Sequence, residues 1–377
     1  MLRHVTAIVT VAALLGGCTS SSDGGDATPD RPKAGLPVLA FTLDDGDRSR
    51  IVSSGKHWDV DGSVRAFLPN GSVLLERFSE EGDGDDALLV AGATEEKTSA
   101  EAEVEGLGSG ASGFGRGTVL AVSVAESGRQ ALKVFDLDLK EIRSVPLTGN
   151  GFVGDPESPQ ATSYRDLVEV DGAVLMRRAD WKGPESTADA VVRVGTDGHM
   201  TTVLKDEHVT DLTLSTDGRA VVAMVATEFP FYEGAPATTD VVELDPKTGT
   251  ITERYGVPPP CRDYKPVIDD ASCVERLGKV GETVVAVLYE SGGGDSFSAY
   301  STWQYADGRW SEAEDQRDKI VVWQSETQRL EQAVDVDGSD ETPAPTEWVD
   351  GSEREAVKDA SGVFPHDWIA PGSLIQP

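Results

Sequence analysis

Five short, almost unbroken aliphatic runs constrain what this chain can fold into. They are Ser72-Val73-Leu74-Leu75-Glu76, Thr118-Val119-Leu120-Ala121-Val122, Ala173-Val174-Leu175-Met176, Ala220-Val221-Val222-Ala223-Met224 and Thr283-Val284-Val285-Ala286-Val287, with starts 46, 55, 47 and 63 residues apart. A run this short and rich in valine and leucine reads as a strand buried on both faces. The segments between them alternate, as in Thr250-Ile251-Thr252-Glu253-Arg254, and read as edge-like strands. Asn70-Gly71, Asp171-Gly172, Asp197-Gly198, Asp217-Gly218 and Asp307-Gly308 supply the positive φ that tight hairpins need.

The clearest unit runs through Thr210-Asp211-Leu212-Thr213-Leu214, the turn Ser215-Thr216-Asp217-Gly218, the strand Ala220 to Ala226, a loop, the strand Thr239 to Leu244, the turn Pro246-Lys247-Thr248-Gly249 and the strand Thr250 to Tyr255. Four strands in up-and-down order, repeated every forty to sixty residues or so, make a propeller blade. The unit resembles the blades of TolB-like and other WD40-like bacterial propellers, which favour a Ser/Thr-Asp-Gly hairpin, an apolar strand and an Asp-x-x-Thr-Gly turn. Here these are Ser215 to Gly218 and Asp245-Pro246-Lys247-Thr248-Gly249. The resemblance concerns fold and implies no activity.

The expected fold is therefore all-β, a propeller of six blades of four-stranded antiparallel sheets. Seven blades is the next count, and two stacked sandwiches the alternative. Each aliphatic run is expected to lead its unit as the inner strand. The sixth blade is expected to join Ile320-Val321-Val322-Trp323 to Val38-Leu39-Ala40-Phe41 and Arg50-Ile51-Val52, because closing a ring removes exposed edges. Segment 337–377 reads as less regular, with Asp350 and Glu353 forming a capping-box pattern for a short helix ending near Gly362.

The N-terminus says where such a domain works. Arg3 and His4 precede an apolar run from Val5 to Leu15, the pattern of a signal peptide. A membrane-spanning helix needs about twenty residues, and this run is about half that. Leu15-Gly16-Gly17-Cys18 then resembles the lipobox of bacterial lipoproteins. That resemblance implies a diacylglycerol on the Cys18 thiol, cleavage after residue 17 and anchoring in the bilayer. Two or more acyl chains anchor stably where a single chain is marginal. Residues 18–34 hold no apolar side chain larger than alanine until the domain begins, and read as a disordered tether spanning about 20 Å. The domains are thus a leader over 1–17, the lipidated linker over 18–34 and the propeller over 35–377, on the extracytoplasmic face of the cell membrane.

The net charge is −33, and removing the leader takes away only Arg3 among charged side chains. Such a surface repels nucleic acid and anionic headgroups, favours cations or a basic partner, and also keeps a protein soluble. Three cysteines occur. With Cys18 assigned to lipid, Cys261 and Cys273 read as a disulfide in an oxidising compartment, worth about 3 kcal/mol in the chain-entropy picture.

No catalytic constellation emerges. Gly108-Ser109-Gly110-Ala111-Ser112-Gly113 matches a dinucleotide fingerprint by letter but lacks the strand–helix context, and reads as a linker between blades. His57, His199, His208 and His366 are scattered and read as surface or packing residues. The acidic clusters at Asp44-Asp45-Asp47, Glu80 to Asp86 and Asp335 to Glu341 read as solvated loops. In the last cluster, Gly338 is misplaced for a calcium loop. Asn70-Gly71-Ser72 is a hairpin turn that happens to match a glycosylation sequon. The seven tryptophans occupy no repeating place, against a quinone cofactor; no metal or other cofactor is expected. Two insertions remain as candidate partner-binding loops. One carries Phe229, Phe231 and Tyr232, and the other, stapled by Cys261 and Cys273, carries Arg262 and Tyr264. The first functional reading is a lipid-anchored, non-enzymatic propeller that binds a protein, peptide or glycan. The alternative is a secreted hydrolase or lyase with its site at the channel mouth.

Overall fold

The computed structural model describes residues 39–42, 48–53, 56–68, 72–78, 86–92, 98–107, 111–115, 117–151, 161–181, 187–205, 208–215, 219–226, 239–263, 274–291, 298–323, 327–333 and 346–356. All belong to one compact unit, Leu36–Pro377. The leader, Cys18 and the linker lie outside the described residues, as do Asn70-Gly71, Asp217-Gly218, Gly362, His366 and the acidic stretches Asp44 to Asp47, Glu80 to Asp85 and Asp335 to Glu341.

The chain folds as small antiparallel sheets taken in sequence order. Strands β1 (Leu39–Thr42), β2 (Arg48–Ser53) and β3 (Lys56–Asp61) form a three-stranded sheet. A four-stranded sheet follows, with β4 (Ser63–Phe67), β5 (Val73–Arg77), β6 (Ala87–Ala91) and β7 (Thr98–Glu103). Two four-stranded meanders then share one eight-stranded sheet. The first is β8 (Ser112–Phe114), β9 (Val119–Val124), β10 (Arg129–Phe135) and β11 (Glu141–Asn150). The second is β12 (Ala161–Val170), β13 (Ala173–Trp181), β14 (Thr187–Val194) and β15 (Met200–Lys205). Three more four-stranded sheets complete the described chain. They are β16 (His208–Leu214) to β19 (Ile251–Gly256) through β17 (Val221–Ala226) and β18 (Thr239–Leu244), and β20 (Val274–Val280) to β23 (Arg309–Glu312) through β21 (Thr283–Ser291) and β22 (Ser298–Ala306). The last is β24 (Lys319–Trp323), β25 (Gln328–Ala333), β26 (Thr346–Asp350) and β27 (Glu353–Ala356).

This propeller-like arrangement of small sheets bears out the all-β expectation, and it corrects the count of six separate four-stranded blades. Four such sheets stand alone. Parallel pairing of Leu167 and Val168 with Gly113 and Phe114 fuses β8 to β12, merging two neighbouring meanders. Gly113 permits it: a Cβ there would sit 1.9 Å from the Leu167 carbonyl oxygen. The letter-match segment Gly108 to Gly113 falls between β7 and β8, and its last two residues belong to β8.

The closing strands are corrected too. β1 pairs with β2, with Leu39 opposite Val52, while Ile320 to Trp323 pair with β25, so among the described residues these two segments belong to different sheets. In place of the helix expected after Asp350, Glu353–Ala356 is strand β27, turned back on β26 at Gly351, whose φ is 59°.

The aliphatic runs are second strands rather than leading ones, since β4, β8, β12, β16 and β20 precede them. Flanked on both sides by strands and above and below by neighbouring sheets, they are buried almost throughout, as β5 and β9 show. First strands of successive sheets touch one another from β1 through β20. Four of them carry a register shift: between Val64 and Ala66, Arg165 and Val168, Val209 and Asp211, and Val274 and Arg276. Such bulges bend a strand and re-aim its side chains.

The turn chemistry is as the sequence implies at several corners. Asp171 and Gly172 have φ of 52° and 80°, Asp307 and Gly308 52° and 77°. In the Asp-x-x-Thr-Gly turn, Asp245 accepts the Lys247 N–H at 2.8 Å and the Thr248 hydroxyl at 2.9 Å. The core lies between sheets. Leu75, Leu89 and Ile51 fill one gap, and Leu175, Val191, Val221 and Ala223 another. Each fully buried leucine or isoleucine contributes about 1.5–3 kcal/mol.

Candidate binding site

The site begins at a turn that the core holds in place. After β19, Pro259–Asp263 forms a short 3-10 helix, closed by the Cys261 N–H donating to the Pro258 carbonyl at 3.0 Å. Cys261 is 1 % exposed and packs among Tyr255, Val274, Leu277 and Leu288. Its burial fixes the turn and sets Pro260 against the next sheet. Beyond β23 the chain stays on the β22 edge: Ala313 N–H donates to the Thr302 carbonyl and Asp318 N–H to the Tyr300 carbonyl, both at 2.9 Å.

A cavity of about 390 Å³ opens between these segments, lined by Pro260, Tyr300, Ser301, Trp303, Glu312, Arg317 and Asp318. That volume is at the lower end of ligand pockets, room for one side chain or one sugar ring. The Trp303 indole N–H donates to Ser301 Oγ at 3.1 Å, which fixes the ring. Arg317 grips Glu312 through both nitrogens, Nε to Oε1 at 2.8 Å and Nη2 to Oε2 at 2.9 Å. Asp318 adopts φ 55°, a left-handed conformation that aspartate and asparagine tolerate better than most residues. Behind the cavity Tyr305 stacks edge-on with Tyr255 and Trp310, and the Trp310 N–H reaches the Tyr255 carbonyl at 2.8 Å, tying two sheets together. Tyr255 donates its hydroxyl to Glu243. Burial and that carboxylate push its ionisation far above the usual phenol range.

Of the predicted partner-binding residues only Arg262 is described, exposed within the Pro259–Asp263 turn. Phe229, Phe231, Tyr232 and Tyr264 lie outside the described residues, as does Cys273. The cavity residues escaped the sequence reading because Tyr300, Trp303 and Asp318 match no motif. The one available signal was three aromatics, Tyr300, Trp303 and Tyr305, within six residues of β22.

A second polar region sits at the bulged first strands. Arg65 pairs with Glu76, which is fully buried; Arg177 Nε lies 2.9 Å from Asp166 Oδ2, and Arg177 Nη1 donates to the Val209 carbonyl at 3.2 Å. These contacts stitch β4 to β5, β12 to β13, and on to β16. Burial raises both the Glu76 and the Asp166 carboxyls above the usual range, against the pull of Arg65 and Arg177. His199 is exposed at the β14–β15 turn, where its backbone N–H donates to Asp197.

No protein-family model and no curated protein matches this chain. Solved structures do. The β-propeller domain of the Trilobed protease from Pyrococcus furiosus, described as having an open velcro topology, aligns with a TM-score of 0.52 and 13 % identity, over 86 % of this chain and 95 % of that one. The fold is a β-propeller. An acylaminoacyl peptidase from Pyrococcus horikoshii aligns at TM-score 0.49 and 13 % identity, over 85 % of this chain but only 50 % of the peptidase. A putative TolB from Agrobacterium tumefaciens aligns at 0.39 and 12 %, over 74 % and 88 %. At these identities the propeller's likeness to others is one of fold alone.

Proposed function

We propose that this propeller is a lipid-anchored, extracytoplasmic binding module, held by a diacylglycerol thioether at Cys18, that docks a partner at the cavity beside the Cys261 turn. The partner class is a protein, peptide or glycan. The observation that carries this reading is the cavity itself, with aromatic walls and a few fixed polar groups, the composition typical of recognition sites. In this reading a disulfide joins Cys261, at the turn beside the cavity, to Cys273. Arg262, and Tyr264 beyond it, extend the contact outward, and Phe229, Phe231 and Tyr232 form a second contact.

Affinity purification from membranes with wild type, Trp303→Ala and Ile142→Ala tests it. Ile142 is an apolar side chain 60 % exposed on β11, away from the cavity. The partner is expected to survive Ile142→Ala and to be lost with Trp303→Ala. Equal recovery in all three refutes the placement.

A hydrolase or lyase working at the first strands is the second reading. In its favour are the two buried carboxyls with raised ionisation, Glu76 and Asp166, a property of catalytic acids. Cleavage of a peptide or glycan library that disappears with Glu76→Gln would replace the binding reading with this one.

A further inference from the structure

Resting on the docking reading above, we propose that the cavity takes a cationic side chain, arginine or lysine, from a basic segment of the partner. The charges lining the cavity are Glu312, Arg317 and Asp318. Glu312 and Arg317 close on each other through two hydrogen bonds, so their charges cancel within the wall. Asp318 makes no side-chain hydrogen bond or ion pair among the described residues; its backbone N–H is spent on Tyr300. Among the described residues the cavity lining therefore carries one negative charge in excess.

Tyr300 and Trp303 add aromatic surface, the second component of a cation pocket, since a ring attracts a guanidinium or ammonium through its quadrupole. The room is that of one long side chain. Arg262 is exposed and is not part of the lining. The field of the whole chain acts in the same sense: a net charge of −33 attracts basic partners and orients their approach. A neutral sugar ring matches the aromatic wall but leaves the Asp318 carboxylate unanswered, which is why the cation is favoured.

Asp318→Asn is the diagnostic variant, because asparagine keeps both the shape and the tolerance for φ 55° while removing the charge. The full chain in non-ionic detergent micelles is titrated with N-acetyl-Gly-Arg-Gly-amide and with its neutral citrulline counterpart. Calorimetry is the readout, with the fluorescence difference from Trp303→Phe reporting on the cavity. The arginine peptide is expected to bind about tenfold tighter than the citrulline peptide, and Asp318→Asn to erase that preference. The lysine peptide is expected to bind and its acetylated form not. Equal binding of arginine and citrulline peptides overturns the proposal. So does an unchanged preference in Asp318→Asn, or an arginine peptide that fails to saturate by about 10 mM. If the partner is lost with Trp303→Ala yet retained with Asp318→Asn, the docking reading stands and the cationic one fails.

Discussion

Replacing Glu331 tests how the strands of the last sheet are held to one another. Its carboxylate is 1 % exposed in the middle of β25 and accepts from Arg329 Nε at 2.6 Å, Arg354 Nη1 at 2.7 Å and Lys319 Nζ at 2.9 Å. Burial alone would raise its ionisation. The three cationic donors outweigh burial and hold it below the usual carboxylate range. Breaking a buried ion pair costs about 3–5 kcal/mol, because the remaining charge is left unpaired. Here the low end applies. Arg354 is 39 % exposed and keeps Glu347 at 2.9 Å, Lys319 is 25 % exposed, and only Arg329, at 11 %, stays deeply buried, with Asp315 at 3.3 Å. Glu331→Ala is therefore expected to lose about 3 kcal/mol, a Tm drop of about 5 °C in a domain of this size.

The pH dependence carries the sign. A depressed folded pKa gives stability that is present above the unfolded glutamate value, about 4.3, and is lost as pH falls through the folded value. The gap between wild type and Glu331→Gln is thus expected to close as pH falls below about 4. Urea melts followed by near-ultraviolet circular dichroism measure it without the screening that guanidinium salts would add. A Glu331→Ala protein within about 1 °C of wild type at pH 7 would refute the reasoning, since an exposed pair is worth that little.

Other outcomes follow from the same contacts. Glu76 has the opposite sign: a raised folded pKa gives stability that is present at low pH and lost as pH rises through the folded value, so Glu76→Gln is expected to gain on wild type as pH rises above the unfolded glutamate value, about 4.3, in the same melts. Gly113→Ala is expected to cost at least about 2 kcal/mol, read as a lower Tm, because its Cβ would meet the Leu167 carbonyl, and that backbone cannot yield cheaply. Intact mass of the membrane-extracted protein is expected to show a start at Cys18 carrying diacylglycerol, and a gain of two hydrogens on reduction of Cys261 and Cys273. An unmodified start removes the anchor, and no gain removes the staple.

What the sequence reveals and hides has physical causes. The β16–β19 sheet was legible almost to the residue because an aliphatic second strand lies between turns whose side chains write their own hydrogen bonds, as Ser215 Oγ accepting from Arg219 and Ala220 and Asp245 accepting from Lys247 do. The β24–β27 sheet was hidden because β25 places Arg329, Glu331 and Gln332 where other second strands place valine and leucine. Their burial is stabilised by Lys319 and Arg354 on other strands, a tertiary pairing no local pattern announces. The first strand β4 was hidden by its bulge, since the extra residue Arg65 breaks the alternation on which strand periodicity rests. The cavity was half legible. The Cys261 loop was marked by its prolines and cysteine, whereas Trp303 and Asp318 join it only through packing and the backbone bonds of β22.

The most direct test of the account is a photo-crosslinking amino acid placed at Arg262 in living cells, beside the cavity, with Ile142 as the distant control. The account predicts a discrete adduct from position 262, absent from position 142 and abolished when Trp303→Ala is added. The same adducts from both positions, or an adduct at 262 indifferent to Trp303, would contradict it.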